Sequence, residues 1–286
     1  MMLGIFTILS LFAAGGICLG AGAFENLSWL WLLPVGFLGS FLGIVLVFFL
    51  FVLLLSALSD LEKPQEKDNK LYRIVIDWCA DIVLTFARVR VHTKGLEKIP
   101  TDGRFLLVCN HLHDADPVIL MKQFPRSQLA FIAKREVKEM FLIGKLMHKV
   151  LGQFVNREND KEALRTIIRC IQILKDDLAS VAVFPEGRIH PDRKFYPFRP
   201  GVFKIAQKAN VPVVVCTMTN TQNVIKNFLK LKPTDVDLHL LTVIPAEEVT
   251  AVKTVELANR IHDMMAEDLG EAYRPTAVEE PEQENT

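Results

Sequence analysis

At 286 residues with a formal net charge of zero, the chain has room for one sizeable globular domain with additions, or two small ones, and no bulk field favours nucleic acid. Five scattered cysteines (Cys18, Cys79, Cys109, Cys170 and Cys216), odd in number and without a C-x-x-C pair, point to buried reduced thiols in a cytosolic compartment and argue against a disulfide framework or zinc ribbon. Charge is uneven along the chain: Glu25 is the one charged side chain in the first 58 residues.

Those 58 residues read as a membrane hairpin. Met1 to Phe24 and Trp29 to Leu58 are both apolar, and each exceeds the roughly 20 residues that a spanning helix needs. Glu25-Asn26-Leu27-Ser28 makes a short polar turn, flanked by Trp29 and Trp31, whose rings suit the membrane interface. Gly16 and Gly20, like Gly39 and Gly43, stand four apart, a spacing expected to let the two helices approach closely. A signal peptide would want a basic n-region, which is missing. Lys63, Lys67, Lys70 and Arg73 follow the second span, so the positive-inside rule places them and the rest of the chain in the cytoplasm.

Residues 59–87 are expected to form a polar linker and an amphipathic helix, with Leu71, Ile74, Val75, Trp78, Ile82 and Phe86 at helical spacing. A helix lying on the membrane and one packed on the domain look alike at this level. Residues 88–275 alternate short apolar strands with helices, the pattern of an α/β domain whose mostly parallel sheet is covered on both sides. Strands are predicted at Arg88–Val91, Phe105–Cys109, Leu129–Ala133, Gln153–Val155, Val181–Phe184, Pro212–Met218 and Asp237–Ile244. Helices are predicted at Pro117–Gln123, Lys134–Val150, Asp160–Leu178, Gly201–Ala209 and Val252–Leu269. In the third of these, Leu164, Ile167, Ile168, Ile171 and Leu174 share one face, and Asn159 with Glu162 makes a cap pair at its start. Residues 276–286 are acidic and polar, as a disordered tail would be.

The chemistry concentrates where strands end. Phe105–Cys109 runs into Asn110-His111-Leu112-His113-Asp114-Ala115-Asp116, and Pro117 suits the first turn of a helix. His111 has the side chain whose unperturbed pKa fits proton transfer near neutrality, and Asp116, five residues on, is placed to hold its other ring nitrogen. Read alone, the same residues also fit a helix cap beside a buried histidine. They also resemble the His-x-His-x-Asp-His signature of metallo-β-lactamases, although Ala115 and Asp116 break two of its four positions. Three further strand ends carry polar clusters: Gly152 to Arg157, Phe184-Pro185-Glu186-Gly187-Arg188, and Val211-Pro212-Val213. An arginine beside a helix start suits phosphate, and glycine lets backbone approach a ligand.

In this order the four blocks resemble the 1-acylglycerol-3-phosphate (lysophosphatidate) acyltransferase family, the plsC-like glycerolipid acyltransferases. Asn110-His111 with Asp116 matches its first block and Gly152 to Arg157 its second. Phe184 to Gly187 matches the third and Val211 to Val213 the fourth. The resemblance spans roughly residues 70 to 270. Two blocks depart: His113 stands where the family often has Ser, and Glu186-Gly187-Arg188-Ile189-His190 stands where it usually has Glu-Gly-Thr-Arg-Ser, so the arginine comes one position early or its role falls to Arg193 or Arg199. The resemblance implies a glycerolipid acyltransferase-like α/β fold and a catalytic pair His111 and Asp116. It implies acceptor binding by Arg157, Glu186, Gly187 and Arg188, acyl-CoA or acyl-carrier protein as donor, and no metal or other cofactor. It implies a lysophospholipid acceptor at the bilayer, acylated at the sn-2 hydroxyl to give phosphatidate. Without a Gly-x-Ser-x-Gly elbow, direct attack on the thioester is expected. Three alternatives are another lysolipid acceptor on the same fold, a metal-dependent hydrolase using His111, His113 and Asp116, and a membrane-anchored binding protein.

Overall fold

Strand β2 (Leu106–Val108) is apolar at every position and buried on both faces, as a central strand of a parallel sheet must be. A computed structural model describes residues 2–23, 29–157 and 159–275, and in it β2 lies in the middle of seven strands. The others are β1 (Val89–Lys94), β3 (Ala130–Lys134), β4 (Gln153–Val155), β5 (Val181–Val183), β6 (Val213–Met218) and β7 (Thr234–Ile244), in the order β1-β7-β6-β2-β5-β3-β4. All neighbours are parallel except β6 and β7, so β1 and β7 run against the other five. The mostly parallel sheet expected from sequence is present, with a two-stranded antiparallel extension.

Alternation along β2 splits the core between the two faces. Leu106 and Val108 face helices α7 (Asp160–Lys175), α8 (Lys204–Ala209) and α11 (Thr254–Leu269), packing with Cys170, Ile173, Ile205 and Ile261. Leu107 and Cys109 face α3 (Lys70–Phe86) and α4 (Asp116–Gln123), packing with Leu84, Ile119 and Leu120. Asn69 caps α3, its side-chain oxygen accepting from Leu71 N and Tyr72 N. Asn159 caps α7 in the same way, as its spacing from Glu162 implied, and its amide also donates to Glu162 at 3.3 Å.

Three local expectations are corrected. The predicted helix Lys134–Val150 is interrupted: β3 continues through Lys134, and α5 (Glu136–Glu139) and α6 (Ile143–Lys149) follow as separate short helices. At Gly144 the chain folds back so tightly that a Cβ would overlap the carbonyls of Lys138 and Val137. In α7 the buried stripe is Thr166, Cys170, Ile173 and Leu174, leaving Leu164 and Ile168 exposed, so the core-facing stripe is rotated from the predicted one. The third concerns the hairpin of α1 (Met2–Gly20) and α2 (Leu32–Ala57). Gly16, Gly20, Gly39 and Gly43 have open space where a Cβ would stand; the close approach is at Gly36, whose Cβ position lies 3.5 Å from Ala14 Cα. Ser40 donates to Ser10 O at 3.2 Å beside it.

Both hairpin helices are long and apolar enough to cross a membrane. The base of the hairpin is tied to the domain: Val52 and Leu55 of α2 pack with Tyr72, Val75, Leu146 and Val150, and Tyr72 Oη donates to Leu55 O at 2.8 Å. Near the other end of α3, Asp81 accepts from Met2 N at 2.6 Å. The predicted turn at Glu25–Ser28 and the predicted acidic tail 276–286 lie outside the described residues.

Candidate active site

Because β2, β4 and β5 are parallel, their carboxyl ends share one edge of the sheet, and the first three sequence blocks meet there; the fourth, Val211 to Val213, enters β6 at the opposite edge, where Pro212 O accepts from Leu106 N at 3.0 Å. The first is held open by a backbone mimic. Asn110 is fully buried; its side chain accepts from Met218 N at 2.7 Å and donates to Met218 O at 2.8 Å, extending the β2–β6 pairing by one side chain. The next residue, His111, is thereby carried over the sheet edge. Its Nδ1 lies 2.9 Å from Asp116 Oδ2.

Asp116 is fully buried at the start of α4, and the same Oδ2 accepts from Leu112 N at 2.7 Å and His113 N at 2.9 Å. Three donors on one oxygen fix the carboxylate, and the carboxylate fixes the ring. A second restraint is stacking: the His111 and Phe184 rings lie 4.0 Å apart at 13°. With Nδ1–H directed at Asp116, Nε2 is left as the basic nitrogen, on a side chain that remains partly open to solvent. Cys109, two residues before, is no rival nucleophile, since burial pushes its thiol well above the ordinary range.

Glu186 joins the first and third blocks. Its Oε1 accepts from His111 N at 2.9 Å and its Oε2 from Tyr196 N at 3.1 Å. Burial, with the neighbouring carboxylates of Asp116 and Asp192 adding to it, pushes the Glu186 carboxyl up to about 8 against the pull of its two N–H donors. Gly187 has φ of +83°, a left-handed conformation, and a Cβ there would stand 3.1 Å from Arg199 Nε. Glycine thus admits the Arg199 side chain across the turn.

Arg199 lies against the altered third block at Gly187. Arg157, half-buried after β4, is held below the usual arginine range by burial first and then by the positive charge of Arg199, with Glu136 opposing and Arg188 adding. Arg157, Arg188 and Arg199 therefore make one basic cluster beside the His111 edge. Arg193 does something else: its guanidinium donates to Leu112 O at 2.7 Å, bracing the first block from the loop after the third. Sequence reasoning gave no role to Asn110 or to the Phe184 stack; the polar residue directly before His111 and the aromatic directly after β5 were the available signals.

His113 turns away from Asp116, its Nδ1 accepting from Ala115 N at 3.1 Å. Among the described residues no three His, Cys, Asp or Glu side chains come together as a metal site would require.

Comparison with known proteins agrees with this geometry. A family model described as Acyltransferase matches residues 90–219, the stretch from β1 to just past β6. The chain is 29% identical over 210 residues to a probable 1-acyl-sn-glycerol-3-phosphate acyltransferase of Mycoplasma pneumoniae, covering 68% of this chain and 76% of that protein. It is 24% identical over 201 residues to a 1-acyl-sn-glycerol-3-phosphate acyltransferase of Borreliella burgdorferi, covering 70% and 80%. The fold is similar to the crystal structure of the 1-acyl-sn-glycerophosphate acyltransferase of Thermotoga maritima, with a TM-score of 0.51 at 23% identity, covering 74% of this chain and 86% of that one. The first three blocks gather their residues at one sheet edge, and all four blocks lie within the region that the acyltransferase family model matches.

Proposed function

We propose that this chain acylates the sn-2 hydroxyl of lysophosphatidate, giving phosphatidate, with acyl-CoA or acyl-carrier protein as donor. The observation that carries the reading is the His111–Asp116 pair, 2.9 Å apart with Asp116 held by two further N–H donors. Nε2 of His111 takes the proton of the acceptor hydroxyl as its oxygen attacks the thioester carbonyl; the tetrahedral intermediate collapses and expels the thiolate, which recovers the proton from the imidazolium. Asp116 holds the ring and stabilises its charged form. Acyl transfer from a thioester is complete without redox or metal chemistry, so the proposal assigns no cofactor beyond the donor.

The Arg157, Arg188 and Arg199 cluster supports binding of the acceptor's phosphate, where a planar guanidinium can bond two oxygens at once. Gly187 lets that backbone come close. Glu186, whose two oxygens are already taken by backbone N–H groups, acts as a positioning residue that sets the His111 turn. The apolar hairpin supports a membrane-held enzyme with its catalytic domain in the cytoplasm, where a lysolipid need not leave the bilayer surface.

The test is acyl transfer by purified, detergent-solubilised protein, with labelled acyl-CoA or acyl-carrier protein, a panel of lysolipids, and EDTA present or absent. Phosphatidate from lysophosphatidate, insensitive to EDTA and reduced about 10²–10⁴-fold in a folded His111→Ala variant, is the expected result. Product from a different lysolipid alone would overturn the acceptor, and near wild-type turnover by the variant would overturn the mechanism. Arg157→Ala is expected to raise the acceptor KM more than tenfold with a smaller change in kcat; an unchanged KM would remove Arg157 from the phosphate site.

A further inference from the structure

Helix α9 (Val224–Leu229) and the turn after it carry side chains that the fold does not use. Ile225, Leu229 and Leu231 are 56%, 75% and 71% exposed, a level of apolar exposure found elsewhere in the chain mainly on the hairpin. Lys226, Lys230 and Lys232 alternate with them, all exposed and, among the described residues, without an ion pair. Residues 220–233 contain no acidic side chain. Large apolar groups interleaved with lysines are what the plane of an anionic bilayer selects: the rings and branched chains enter the acyl boundary and the ammonium groups stay at the headgroups.

The patch continues from the membrane-facing part of the molecule. Phe86, at the end of α3 and 67% exposed, meets Phe228 of α9 with ring centroids 5.5 Å apart. At its other end and along its length α3 contacts both helices of the hairpin, through Tyr72 to Leu55 and Asp81 to Met2. Beyond Phe86, Arg88 bonds the turn after α9, its guanidinium donating to Leu231 O at 2.6 Å. The topology also decides where the patch lies. α9 joins the carboxyl end of β6 to the start of β7, and Met218 at the end of β6 is the residue clamped by Asn110 next to His111. α9 therefore projects from the same sheet edge as the catalytic turn.

The geometry points to a second membrane contact: α9 and its following turn rest on a bilayer carrying anionic lipid and set the catalytic edge against that surface. The inference rests on the membrane-held reading above. The hairpin supplies retention, and the α9 patch supplies orientation and a dependence on lipid charge that α1 and α2, which carry no charged side chain, cannot. Each lysine within a Debye length of an anionic surface contributes about a fivefold factor to the equilibrium, so three make the docked state strongly sensitive to lipid charge and to salt.

The experiment uses the full chain in nanodiscs of phosphatidylcholine alone or with half phosphatidylglycerol. Hydrogen–deuterium exchange is read over residues 220–233, and acyl transfer is measured in the same discs and in neutral detergent micelles. The expected result is slower exchange in anionic discs for the wild type, lost in Lys226→Glu/Lys230→Glu/Lys232→Glu. That variant is expected to turn over at least fivefold more slowly in anionic discs and at the wild-type rate in micelles, which also shows that it is folded. Equal exchange in both lipids, or a variant indistinguishable in anionic discs, would overturn the proposal. So would protection that appears only when an acidic carrier protein is added, which would assign the patch to a protein partner. Carbonate extraction separates the two readings: a chain released by carbonate would sink the hairpin anchor, whereas a retained chain with unprotected α9 would sink this contact alone.

Discussion

One oxygen of Asp116 accepts from His111 Nδ1, Leu112 N and His113 N, while its other oxygen has no hydrogen-bond partner among the described residues. Asp116→Asn can keep an amide oxygen in the same place, so the backbone turn survives, yet it removes the negative charge that favours the imidazolium. Turnover is expected to fall by about 10²–10⁴ with circular dichroism unchanged; a variant that loses its fold instead would mean that the carboxylate is structural. Glu186 makes a different prediction. Its carboxyl is raised from 4.5 to about 8, so between those values the folded chain keeps a proton that the unfolded chain has released. The associated stability is present below about pH 4.5 and is lost as pH rises through about 8. Denaturant midpoints in detergent are expected to fall from pH 5 to pH 8 more steeply in wild type than in Glu186→Gln, and parallel profiles would refute the assignment. The pair His111 and Asp116 was legible because both lie on one turn, five residues apart. Arg199 was left as one of three options, with Arg188 and Arg193, because it reaches Gly187 from a loop, and only the folded turn shows that Arg193 is spent on Leu112 O.

At the scale of elements, spacing located each piece and was less informative about which face is covered. The strands were legible since runs such as Val213 to Met218 are apolar but for Thr217 and buried at every position. Periodicity saw one helix from Lys134 to Val150 because the apolar spacing persists, whereas the return of the chain past Lys138 depends on Gly144 having no side chain. The hairpin is the sharper case, as a four-residue glycine spacing exists in both helices and neither pair lies at the contact. Gly36 does, with Ile17 Cδ1 3.4 Å from its Cβ position and Ala14 Cα 3.5 Å away. Gly36→Leu must therefore separate α1 from α2, at a cost of about 1–3 kcal/mol. Gly39→Leu points into open space and is expected to change stability by no more than about 0.5 kcal/mol. Thermal unfolding in a fixed detergent distinguishes them, and equal shifts would show that the helices do not meet at Gly36.

For the molecule as a whole, the hairpin is built into the domain and does not simply tether it. At 26 residues and about 1.5 Å each, α2 spans about 39 Å, longer than the roughly 30 Å of a bilayer core. The excess is the stretch that buries Val52 and Leu55 on Tyr72, Val75, Leu146 and Val150, with Ser56 donating to Phe141 O at 2.9 Å. Sequence reading divided the chain after residue 58, because composition changes there. Packing places the working boundary about a turn and a half earlier, since a helix can be apolar for lipid at one end and for protein at the other. Removing residues 1–58 is therefore not expected to release a well-behaved soluble enzyme: it would bare Tyr72, Val75, Leu146 and Val150 as an apolar patch of the kind that drives association. A chain beginning at Phe48 keeps Val52, Leu55 and Ser56 and covers the patch. The two truncations are to be compared by size-exclusion chromatography and by acyl transfer in micelles. The longer one is expected to be less aggregated and more active, and a monodisperse, fully active chain beginning at Ser59 would show that the base of α2 serves the membrane alone.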